Sequence, residues 1–212
     1  MSNKPDLTRV AGFSYRFASV VAFWNHAESA AKQIAQLLLG ESSMSMAVAA
    51  ELGNRTLTQA IEVASHEMDG IGEHLRHFCD GYAVLLGYRN FYVHALYAIR
   101  DDGFVPGNSH GLLFTLDGKG RVRYFSRHLT TAELDKTLAA IHALIGYAAA
   151  IQKELGATGD GLAALIESYK ASLEMPSWPP SVEKTPLYLQ GQEPPPPKPT
   201  RKRETRKKPK PA

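Results

Sequence analysis

Ile71-Gly-Glu-His-Leu75-Arg-His-Phe78-Cys-Asp-Gly-Tyr82-Ala-Val-Leu85-Leu-Gly-Tyr-Arg89-Asn90-Phe-Tyr-Val-His94 carries a helical period that ends in a cluster of polar side chains. Leu75, Phe78, Tyr82 and Leu85 recur every three or four residues, the period of one helix face turned to a core. The spacing predicts a helix from about Ile71 to Tyr97. Carried onward, the same apolar stripe reaches Arg89 before it meets Tyr92, Val93 and Leu96. A charge at a core position is costly unless it is paired, so Arg89 must have a partner, an interface or a cleft. Asn90 and His94 lie four residues apart and share the neighbouring face.

Nearer the N-terminus, the spacing of Phe13, Phe17, Val20, Val21, Trp24, Ala27, Ala31, Ile34, Leu37 and Leu38 predicts a long amphipathic helix that ends near Gly40. A second helical stretch is expected from about Met44 to Met68, loosened around Gly53-Asn54. Beyond the central helix, Gly103, Pro106, Gly107 and Asn108 mark a loop. Leu112–Leu116 and Arg121–Ser126 read as two strands around Asp117-Gly118-Lys119-Gly120, a hairpin signal. Thr130 and Glu133 make a capping box. It opens a helix with Leu134, Leu138, Ile141, Leu144, Ile145, Ala148, Ile151 and Leu155 on one face, and Gly156 as its C-terminal cap.

A short helix is expected after Gly161, to about Glu174. From Pro176 the chain is Pro-rich, with Pro194 to Pro197 consecutive, and is read as disordered because it has too little apolar surface to offset ordering entropy. The expected organisation is a 1–12 extension, a 13–156 helical domain, a 157–175 short helix or linker, and a 176–212 tail. The fold class is mainly α: a four-to-five-helix bundle with one inserted β-hairpin and a disordered C-terminal tail.

Charge is unevenly placed. The net charge is +3, but Lys198–Ala212 holds eight Lys or Arg against one Glu, a net of +7, which leaves −4 for residues 1–197. A basic surface on the folded part therefore cannot be read from composition. The tail cations, Arg201, Lys202, Arg203, Arg206, Lys207 and Lys208 among them, are candidates for weak phosphate contacts with nucleic acid. The single cysteine, Cys79, rules out an internal disulfide framework and a multi-cysteine zinc site. His74 and His77 lie three apart but carry no further ligand signature, so no metal and no cofactor are expected. No secretory signal is read at the N-terminus and no stretch is read as a membrane span, which gives the expectation of a cytoplasmic protein.

An arginine, a polar residue directly after it and a histidine four to six residues beyond the arginine resemble the motif of the HEPN superfamily; here they are Arg89, Asn90 and His94. The long first helix, the motif late in a central helix, the hairpin and the final helix are similar too, over roughly residues 13–156. The resemblance implies a helical bundle that forms a homodimer with the motif helices facing each other. It implies a metal-independent endoribonuclease acting on RNA, of the kind found in toxin–antitoxin and phage-defence systems. An antitoxin or defence protein would then be a further partner. A catalytically inactive module that binds RNA or a partner protein is the alternative. Some HEPN toxins carry a tyrosine two residues after the histidine, which a nucleotidyltransferase modifies. Position 96 is Leu here, and Tyr97 stands one residue later as a supporting neighbour. Glu28 also interrupts an apolar stripe, so Glu28 is expected within reach of Arg89, as an ion pair, or of Asn90, joining the first and central helices.

Overall fold

The computed structural model describes residues 7–40, 42–94, 96–97, 109–116, 122–157 and 169–182. Among these residues the protein is mainly helical, with five helices: α1 Leu7–Leu38, α2 Ser43–Glu51, α3 Asn54–Ser65, α4 Ile71–His94 and α5 Thr131–Glu154. α1 packs along α5, and α4 lies against both α3 and α5. The first helix starts at Leu7, so part of the expected 1–12 extension is continuous with it.

One core joins these helices. Trp24 of α1 meets Tyr82 of α4 with ring centroids 4.9 Å apart, and Ile34, Leu57, Ile61, Leu75, Phe78, Leu85, Leu134, Ile141 and Leu144 are fully buried around them. These are the periodic positions of each helix, which is why the helices pack through these faces. Gln152 reaches across from α5, its amide donating to Ala30 O of α1 at 2.9 Å.

Helix ends obey local chemistry. Gly40 and Gly156 have φ of +86° and +82°, a left-handed conformation that glycine adopts without a Cβ penalty. Beyond α5, Ala157 N–H donates to Gln152 O at 3.0 Å and Gly156 N–H to Lys153 O at 3.1 Å, a Schellman ending. At the other end, Glu133 N–H donates to Thr130 Oγ1 at 3.1 Å and Thr130 N–H to Glu133 Oε2 at 3.2 Å. The expected capping box is made.

Several expectations are corrected. The single Met44–Met68 stretch is two helices, because Leu52 and Gly53 adopt extended backbone and Gly53 becomes the N-cap of α3. The central helix stops at His94 instead of reaching Tyr97, which lies in a two-residue strand, β1 Leu96–Tyr97. β1 pairs antiparallel with β2 Ser109–Leu116, which pairs antiparallel with β3 Val122–Leu129 in the register Leu112↔Ser126. Among the described residues the sheet thus has three strands in the order β1-β2-β3 where one two-stranded hairpin was expected, and the 117–121 connection lies outside the described residues.

No helix is present in 169–182, so the described end of the expected helix to Glu174 is irregular. Nor is everything after Pro176 without tertiary contacts. Residues 176–182 form a strap on α4: Trp178 Nε1–H donates to His77 O at 3.2 Å, and Tyr88 Oη–H donates to Pro180 O at 2.9 Å. Trp178 and Val182 pack against the core residues. The strap holds because α4 offers it a flat place. A Cβ on Gly81 would overlap the indole of Trp178, so glycine lets the ring lie on the helix backbone. Residues 183–212, with the basic run, lie outside the described residues.

The membrane expectation also needs amendment. α5 is long and apolar enough to cross a membrane by length and composition, the one such helix among the described residues. Its apolar residues line the interior against α1 and α4, and 61% of that window is buried.

Candidate functional site

The motif occupies the last two turns of α4, which apolar and hydrogen-bonded neighbours hold in place. Tyr88, Phe91 and Tyr92 are buried. The Tyr92 hydroxyl meets Thr137 Oγ1 of α5 at 2.9 Å, while Tyr88 is tied to the strap. Their rings anchor the helix end, so the side chains between them have defined places.

Arg89 is half-buried. Its Nη1–H donates to Asn90 Oδ1 at 3.1 Å, and its Nε is buried with no hydrogen-bond partner among the described residues. The expected ion pair with Glu28 is not made. Glu28 instead pairs with Lys32 one turn along α1, at 3.2 Å. An i, i+4 partner on the same helix is in reach without any helix–helix adjustment, which explains the choice.

Glu28 and Arg89 nevertheless act on one side chain. Burial pushes the Tyr82 phenol above its ordinary range; the Glu28 carboxylate raises it further and the Arg89 guanidinium lowers it. The Tyr82 hydroxyl donates to Asn54 Oδ1 at the first turn of α3. Tyr82 thus bonds to Asn54 while its phenol feels both Glu28 and Arg89. Periodicity assigns Tyr82 to the core and gives no reason to single out Asn54, since that contact depends on how α3 and α4 meet.

His94 is exposed at the end of α4, beside an exposed Val93. No hydrogen bond orients its ring among the described residues. Tyr97 is placed in β1, and its side chain lies outside the described residues, as do Arg201, Lys202, Arg203, Arg206, Lys207 and Lys208. The fold thus brings Arg89 and Asn90 into contact, leaves His94 open near them on the same helix, and separates Glu28 from Arg89 as a direct partner.

The other histidines of α4 are engaged. His74 Nδ1 and the Tyr147 hydroxyl lie 2.8 Å apart, and His77 Nε2–H donates to Pro176 O at 2.7 Å. No group of three or more His, Cys, Asp or Glu gathers among the described residues. A cleft of about 500 Å³ opens between α5 and the 169–176 segment, lined in part by His142, Tyr147, Lys170 and Glu174. It contains none of the three motif residues.

No protein-family model, curated protein or solved structure matches the chain.

Proposed function

We propose that this protein is a metal-independent endoribonuclease whose Arg89/His94 site is completed by homodimerisation, a toxin or phage-defence effector of the HEPN type working in the cytoplasm. The observation that carries the reading is Arg89: a half-buried guanidinium with its Nε unpaired and no carboxylate bonded to it among the described residues. Burying arginine without a counter-ion is costly, and a guanidinium kept so is suited to an anion, above all the paired oxygens of a phosphate.

Geometry also motivates the second copy. At 3.6 residues per turn, side chains five apart leave a helix about 140° apart, so one protomer does not aim Arg89 and His94 along one line. Two copies related by a two-fold axis supply two of each. Arg89 would hold the scissile phosphate while one His94 takes the proton of the RNA 2′-hydroxyl. The second His94 protonates the departing 5′-oxygen, and Asn90 positions Arg89. The products are a 2′,3′-cyclic phosphate and a 5′-hydroxyl, with neither metal nor cofactor in the scheme. An antitoxin or defence protein would control such an activity.

One observation favours a second reading, a catalytically inactive module binding RNA or a partner protein: no group among the described residues orients His94. The test separates them. Purified protein is incubated with assorted RNAs in EDTA, beside His94→Ala. The nuclease reading expects cleavage with cyclic phosphate ends, reduced about 10²–10⁴-fold in the variant, the usual contribution of an acid–base group. His94 is exposed, so the variant should fold. Equal products from both proteins on every RNA would leave the binding module.

A further inference from the structure

Before it reaches α4, the chain arches over α5. Lys170 sets its carbonyl oxygen against Gly146, where a Cβ would stand 3.3 Å away. At the other foot, Pro176 O accepts from His77 Nε2–H at 2.7 Å. Residues 171–175 bridge these two pins. Ala171 N–H donates to Tyr169 O at 2.7 Å and Glu174 N–H to Ser172 Oγ at 3.2 Å, so tight turns shape the arch from within. Glycine weakens a helix interior; at Gly146 it gives the arch a close seat. Ala143 and Gly146 are too small to fill the space beneath, which leaves the cleft of about 500 Å³. Sites for small molecules run from about 300 to 1,000 Å³.

The lining narrows the choice of ligand. Tyr147, Tyr169, Met175 and Pro176 supply apolar surface. The Tyr147 hydroxyl is engaged with His74, whose Nδ1 lies 2.8 Å away, so Tyr147 offers its ring. Such walls suit a flat apolar body, which packs on phenol rings and on a thioether. Lys170 and Glu174 line the same cleft, are exposed, and stand four positions apart on the arch. Neither is in an ion pair among the described residues. A phosphate drawn to Lys170 is repelled by Glu174, and a simple amine drawn to Glu174 is repelled by Lys170. A molecule carrying both charges meets two attractions.

We infer that this cleft is a binding site for a small zwitterion with a flat apolar body, a free aromatic amino acid. Its carboxylate meets Lys170, its ammonium meets Glu174, and its ring lies over Ala143 and Gly146 against Tyr147. The site is distinct from the motif. Tyr147 meets His74, which precedes His94 by twenty residues on α4, about 30 Å along the helix axis. The inference therefore stands apart from the nuclease reading, and either can fail alone.

Calorimetry on the full chain tests it with three probes: L-tryptophan, tryptamine, which lacks the carboxylate, and 3-indolepropionate, which lacks the amine. L-Tryptophan should bind saturably at one site per chain. Each analogue should bind about ten-fold more weakly, the low end for losing a hydrogen bond to a charged group. Lys170→Met should weaken L-tryptophan about ten-fold and leave tryptamine unchanged. Glu174→Gln should weaken L-tryptophan by the same factor and leave 3-indolepropionate unchanged. Ala143→Phe puts a ring into the cleft from an exposed position of α5, so it should keep the wild-type circular dichroism and bind none of the probes. Three results overturn the inference: no saturable binding of L-tryptophan to the wild type, affinities indifferent to both charge changes, or full affinity in a folded Ala143→Phe. Should that variant not fold, the two charge variants decide, since both positions are exposed. Adenosine monophosphate binding more tightly than L-tryptophan would also overturn it, by assigning the cleft to phosphates.

Discussion

Replacing Gly81 with Ala sets two physical effects against each other with opposite sign. In an unobstructed helix interior the exchange stabilises by about 1 kcal/mol, a rise of roughly 2–4 °C in Tm for a domain of this size. At Gly81 the new methyl would overlap Cε2, Cζ2 and Cδ2 of Trp178. The α4 backbone cannot retreat, because Tyr82 and Leu85 beside it are fully buried. The indole must lift instead. Lifting it breaks the bond from Nε1–H to His77 O and disturbs the flanking anchors, His77 to Pro176 O and Tyr88 to Pro180 O. Each such bond contributes about 0.5–1.5 kcal/mol net, so about 3 kcal/mol stands against about 1 kcal/mol gained from helix propensity. The expected outcome is a Tm lowered by roughly 4–8 °C, with faster tryptic cleavage after the exposed Lys170. Circular dichroism and limited proteolysis read the two quantities. A Tm raised by 2–4 °C, with an unchanged tryptic pattern, would show that the strap does not hold α4 through Trp178.

Thr130→Ala should cost about 1 kcal/mol by removing the hydroxyl that caps α5; Thr130→Ser should restore most of it, and equal melting of all three proteins would refute the cap. Cys79 should resist thiol reagents at pH 8 until the protein is unfolded, because burial, helped by Glu62 and Asp80, pushes its thiol up to about 12. Burial, with Glu73 second, likewise pushes the Tyr147 phenol up to about 12. A raised folded-state pKa contributes stability that is present below the unfolded value and lost as pH rises through the folded one. Urea midpoints should therefore fall between about pH 9 and 12; flat midpoints across that window would contradict the buried placement of both groups.

How far the sequence reaches depends on the range of the force involved. The periodic faces of α1, α4 and α5, the Thr130/Glu133 cap and the Gly40 and Gly156 endings were legible because helix geometry and capping act within a few residues. The same spacing located Arg89 as a charge at a core position and placed Asn90 and His94 beside it. Which group answers Arg89 was beyond it. Glu28 had a nearer cation in Lys32, and the hydrogen bond of Arg89 goes to the adjacent Asn90. The strap was hidden for the same reason. Pro-rich composition argues against a segment forming its own core, yet it says nothing of a groove elsewhere that can receive one tryptophan. That groove exists because Gly81, two turns before Tyr88, has no side chain, and the two meet only after α4 has taken its place in the bundle.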